Sequence, residues 1–124
     1  MTTIKTSELT GAALDWAVGY IRCFHLVDGK PILARDLMKR AIENGMASPS
    51  TDWAQGGPII EREGISLACR PKDARGLWCA VLGPNRFLSP DFECYGPTLL
   101  IAAMRCYVAS KLGDTVEIPE ELAP

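Results

Sequence analysis

A chain of 124 residues, 48% of them hydrophobic, is long enough to bury a core of its own and too short for a second domain; residues 1–124 are read as a single domain. Thirteen basic and fifteen acidic residues leave a formal net charge of −2, and their scatter along the chain excludes the basic footprint of a duplex nucleic-acid binder while leaving room for one small anionic ligand. No apolar run approaches membrane length and no secretory leader pattern is visible, so a membrane role is excluded and a cytoplasmic location is expected.

The first element in chain order is a helix over Ser7 to Ile21, where Leu9, Ala12, Ala13, Trp16, Ala17 and Tyr20 fall on one broad stripe. Gly11 weakens its early turns, which allows the start to shift to Thr10. Arg22 to Lys30 breaks the periodicity and is read as a loop or short strand around Phe24 to Val27. From Pro31 a second amphipathic helix carries Ala34, Leu37, Met38, Ala41 and Ile42 on one face and stops at Gly45. Met46 to Gly57 gathers Ser, Thr, Asp, Gly and Pro and reads as the longest irregular segment of the chain, followed by a single helical turn at Pro58 to Glu63.

Ile65 to Arg70 alternates in the manner of a strand, and Leu77 to Leu82 is its antiparallel partner across the polar connection Pro71 to Gly76. Gly83-Pro84-Asn85 ends that strand, and Arg86 to Tyr95 is read as a packed loop with room for a brief strand. The clearest element is the last helix, begun by Gly96-Pro97, striped with Leu100, Ala103, Met104, Tyr107, Val108 and Leu112, and ended by Gly113. Thr115 to Ile118 is expected as an edge strand and Pro119 to Pro124 as a frayed tail. These elements give an α+β fold, with a small antiparallel sheet and two or three helices packed on one face.

Catalytic chemistry finds little to stand on. His25 is the single histidine, and neither Cys23 beside it nor a G-x-S-x-G turn completes a nucleophile set, so no catalytic residue is assigned. The five cysteines, Cys23, Cys69, Cys79, Cys94 and Cys106, are odd in number and contain no C-x-x-C pair; they read as reduced thiols, mostly small core residues, and no metal site or cofactor is expected. Gly56-Gly57-Pro58 is not a phosphate-binding loop. Glu61 and Glu63 are read as solvated carboxylates.

The segment Asp52 to Glu61 places a large aromatic, an amide and two glycines where the backbone is least regular. In one reading Trp53 stacks on a planar ligand, Gln55 and the backbone beside Gly56 and Gly57 hydrogen-bond to it, Asp52 takes part, and Arg62 and Arg105 supply charge. In the other, Trp53 plugs the core beneath a loop, Asp52 caps the next turn, and the glycines only permit a bend.

Three blocks carry a family resemblance. Lys5 to Gly11 with Ala13 to Val18, then Ser48-Pro49-Ser50-Thr51-Asp52-Trp53-Ala54-Gln55-Gly56-Gly57-Pro58-Ile59-Ile60-Glu61-Arg62-Glu63, then Tyr95 to Thr98 with Ala102 to Asp114, resemble in order the blocks of the NinX-like phage proteins, while Arg22 to Gly45 departs from the pattern. The resemblance implies a phage or prophage product acting inside a bacterium, and implies no activity.

Together these readings favour a non-enzymatic protein that binds and sequesters a host small molecule of nucleotide type, a counter-defence role for which a homo-oligomer would suit. The alternative is a protein-interaction module that inhibits or redirects a host enzyme through Trp16, Trp53 or Tyr107.

Overall fold

A computed structural model describes residues 2–24, 40–69, 78–83 and 90–123. Arg22 to Phe24, expected to break the first helix, continue it; His25, the rest of the loop or short strand expected over Arg22 to Lys30 and most of the helix expected from Pro31 lie outside the described residues, as do residues 70–77 and 84–89. Residues 40–43 are helical and give way to Gly45 at φ 79, the stop read from the sequence.

Strand β1 (Thr2–Lys5) leads through a 3-10 turn at Thr6–Glu8 to helix α1 (Gly11–Phe24). Helix α2 spans Trp53–Glu63, strands β2 (Ser66–Cys69), β3 (Trp78–Leu82) and β4 (Phe92–Gly96) follow, and helix α3 (Leu99–Leu112) precedes β5 (Thr115–Ile118). The architecture is α+β, built on two antiparallel sheets, one of order β2-β3-β4 and one pairing β1 with β5. In the larger sheet Cys69 faces Trp78 and Trp78 faces Gly96; in the smaller, Thr2 faces Ile118.

Helix α3 lies at the centre. Leu100 and every residue from Ala102 to Ala109 are buried, so it is apolar nearly all round, as a helix enclosed on several sides must be. Its small residues let neighbours approach from each direction: the three-stranded sheet packs on it, and so do α1 and α2. Met104 and Val108 are completely buried, and each such side chain contributes about 1.5–3 kcal/mol of transfer free energy. The helix begins at an N-cap, Thr98, whose Oγ1 accepts from the Ile101 amide at 3.1 Å, so Pro97 stands one residue before the cap instead of inside the first turn.

Two expectations are corrected here. Residues 53–57 are helical, not irregular: the Asp52 carboxylate accepts from the Ala54 amide at 2.9 Å, and the left-handed Gly64, at φ 70, closes the far end. Pro58 is accommodated because it is exposed and because Gly57 before it has no Cβ to strike the proline ring; the carbonyl it deprives of a donor belongs to Ala54, itself exposed. The tail is not frayed through residue 123 either, since Glu120–Leu122 forms a 3-10 turn that buries Leu122 against the core.

Candidate functional site

A cleft of about 400 Å³ opens where α2 and α3 both begin and β3 starts. One side presents Ser50, Thr51 and Trp53; the other presents Trp78, Thr98, Leu99, Leu100 and Ile101. Trp53 is 52% exposed, an unusual position for the largest apolar side chain, while Trp78 is half-buried. Trp53 is therefore no core plug.

None of the described lining residues is ionisable. The polarity of the cleft comes from the exposed hydroxyls of Thr51 and Thr98 and from the positive ends of two helices. At α2 that end is opposed by the Asp52 carboxylate. At α3 the cap is the neutral Thr98 and the first turn holds no acid, so its partial positive charge is unopposed by its own residues, and the threonine hydroxyl can donate while its oxygen accepts from Ile101.

The Ser48 to Asp52 segment that holds one side in place is fixed from beneath. Asp15, buried on α1, accepts from the Ser50 amide at 2.9 Å. Burial pushes the Asp15 carboxyl above the usual carboxylate range, with the bonding to Ser50 opposing the shift. Ser50 is 1% exposed, and its hydroxyl is enclosed without a hydrogen-bond partner. Gln55 completes the clamp: its Oε1 accepts from the Ser48 amide at 2.9 Å and its Nε2 donates to Asp52 at 3.0 Å.

Of the seven residues assigned to ligand contact from sequence, Trp53 alone lines the cleft. Asp52 is a helix cap and Gln55 is committed to the loop before it. Gly56 serves helix packing: a Cβ there would stand 2.5 Å from both Leu100 Cδ1 and the Pro49 carbonyl oxygen, whereas one on Gly57 would meet nothing. Arg62 is at the opposite end of α2, nine residues and about 14 Å along the axis from Trp53, and lies 3.7 Å from Glu63. Arg105 is buried in α3, where Nε donates to the Leu9 carbonyl at 2.8 Å and Nη1 to the Tyr95 carbonyl at 2.7 Å.

Glu63 is not fully solvated, for it is mostly buried and meets Lys111 at 3.0 Å; Glu61 is exposed. Trp16 and Tyr107, expected as exposed hot spots, are core residues, and Trp16 stacks on Tyr20 with ring centroids 5.2 Å apart. Sequence reasoning missed Ser50, Trp78 and Thr98 as cleft residues, and Asp15 as the support of Ser50. Asp15 was detectable in principle, being a charged residue inside an otherwise apolar stretch of α1.

The family model described as Bacteriophage P22, NinX matches residues 5–111. The chain belongs to the NinX family. No curated protein matches it. The match runs from β1 to the last turn of α3, so the cleft and its supports lie within the part of the chain that defines a NinX protein. It also covers residues 22–45, where the block resemblance lapses.

Proposed function

We propose that the chain is a phage binding protein of the bacterial cytoplasm whose two-tryptophan cleft holds a planar, nucleotide-type small molecule and withholds it from the host, in a counter-defence role. The observation that carries this reading is Trp53, half in water at the mouth of a neutral cleft whose other side bears a second tryptophan. Aromatic stacking on a base contributes about 1–3 kcal/mol and is indifferent to its sequence identity, which suits capture of a ring system. A volume of about 400 Å³ falls in the range of small-ligand pockets. The hydroxyls of Thr51 and Thr98, with the unopposed start of α3, would receive a phosphate; the arginines are too far away or too committed to do so. Because the cleft is open, a second copy of the chain would shield a bound ligand further, which favours a homo-oligomer. Sequestration needs affinity without transition-state machinery. No helix among the described residues is long and apolar enough to cross a membrane.

The test mixes purified protein with cyclic and linear bacterial nucleotide signals, removes free ligand by gel filtration, denatures the protein by heat and identifies what is released. Intact ligand is the expected result. A chemically altered product would make the protein an enzyme and end this reading; no retention, with a host protein recovered in its place, would transfer Trp53 to an interaction surface. Trp53→Ala is expected to abolish retention while changing stability by no more than about 0.5 kcal/mol, since the side chain is exposed.

A further inference from the structure

Side chains alternate along β4, so Phe92, Cys94 and Gly96 share one face. That face points at α3, for a Cβ on Gly96 would stand 2.8 Å from the Ala102 amide nitrogen and 3.0 Å from Ile101 Cγ2. The chain reverses between β4 and α3 at residues 97–98. Two residues back along the strand, about 7 Å, therefore match one turn forward along the helix, about 6 Å, and Cys94 is brought over Cys106. Cys94 is half-buried on the core cluster of which Cys106 is a wholly buried member, and the two sulfurs are near enough for each to shift the ionisation of the other. The residue next to Cys106, Arg105, reaches the carbonyl of Tyr95, next to Cys94, and none of the described carboxylates forms an ion pair with it. Cys79, on the other face of the sheet, pairs with Tyr95 in register and lies 3.8 Å from a Glu93 oxygen.

We propose that Cys94 and Cys106 are a peroxide-responsive thiol pair that closes a disulfide between β4 and α3. The Cys94 thiolate attacks one oxygen of hydrogen peroxide, the O–O bond breaks, and the other oxygen leaves as hydroxide and takes up a proton; sulfur is oxidised to the sulfenic acid and peroxide is reduced. The Cys106 sulfur then attacks the Cys94 sulfur, the S–O bond breaks, and the oxygen departs as water with the thiol proton. Two thiols and one peroxide become one disulfide and two waters. The two sulfurs differ in the sense this order requires. The adjoining Cys106 thiol and the nearby Arg105 guanidinium push the Cys94 thiol down against its burial, whereas Cys94 and burial push Cys106 up, so of the two the half-buried sulfur gives up its proton more readily.

The full chain, reduced and then treated with hydrogen peroxide, is alkylated, digested without reductant and read by mass spectrometry. Expected is the loss of two hydrogens and two alkylatable thiols, with a Cys94–Cys106 cross-linked peptide that dithiothreitol removes. Cys106→Ser, or Cys106→Ala if the serine variant does not fold, is expected to leave Cys94 as a sulfenic acid that dimedone captures, and Cys94→Ser to abolish both products. A cross-link through any other cysteine, over-oxidation of Cys94 without a cross-link in the unsubstituted chain, or an unreactive Cys94 overturns the proposal.

Discussion

Adding one methyl group at Gly56 and one at Gly57 separates two readings of the same dipeptide. At Gly56 the new carbon would stand 2.5 Å from a leucine methyl and 2.5 Å from the Pro49 carbonyl oxygen. The leucine can rotate; the carbonyl is backbone, so α2 itself must move away from the loop that precedes it. Such overpacking costs about 1–3 kcal/mol, and about 2–3 kcal/mol here where backbone must move; the alanine recovers about 1 kcal/mol of helix propensity, leaving Gly56→Ala less stable by about 1–2 kcal/mol. For a domain of this size that lowers Tm by about 4–8 °C. At Gly57 the new carbon meets no neighbour, but it precedes Pro58, whose ring disfavours helical backbone in any residue with a Cβ. Propensity and that clash oppose each other, so Gly57→Ala should change stability by less than about 0.5 kcal/mol. Urea unfolding of both variants, with Tm as a second measure, reads the difference. A Gly56→Ala protein as stable as Gly57→Ala would refute the packing of α2 on α3 at this point, and with it the placement of Trp53 at the cleft.

Asp15→Asn should alter the pH profile. The folded state holds the Asp15 proton more tightly than the unfolded chain, so this group's contribution is present below the ordinary aspartate pKa of 3.8 and is lost as pH rises through its raised folded value. The variant should therefore gain stability relative to the unsubstituted protein across that window in pH-dependent denaturation, and parallel profiles would contradict the assignment. Thr98→Ala removes the acceptor for the Ile101 amide and should cost about 1 kcal/mol in thermal melts. It should also weaken any phosphate-bearing ligand beyond what the change in stability explains.

The helices α1 and α3 and the β2–β3 hairpin were legible because their apolar residues repeat with the period of the element that buries them. Helix α2 was not, because Gly56-Gly57-Pro58 reads locally as a break; what overrides it is the cap at Asp52 and a contact with Leu100, 44 positions further along the chain. Strand β1 is short and carries Thr2, Thr3 and Lys5, so nothing local marks it until Val116 and its neighbours supply a partner. The cleft was half legible. Trp53 stands among glycines and an amide in the sequence itself, while Trp78 and Thr98 join it only through tertiary folding, and charge alone does not reveal that Arg105 points at backbone carbonyls and Arg62 at Glu63.

The pairing of β1 with β5 imposes an order on biosynthesis. Thr3 and Glu117, which hydrogen-bond across that sheet, are 114 residues apart. At about 5–20 residues per second, β1 leaves the ribosome on the order of ten seconds before its partner exists. Through that interval the nascent chain carries an unpaired strand that the rest of the domain cannot satisfy, and the Thr6 amide waits equally for the Asp114 carbonyl. This small sheet closes only once β5 has been made and has cleared the ribosome, and a fusion partner attached ahead of Thr2 would emerge beside the segment that follows Ile118.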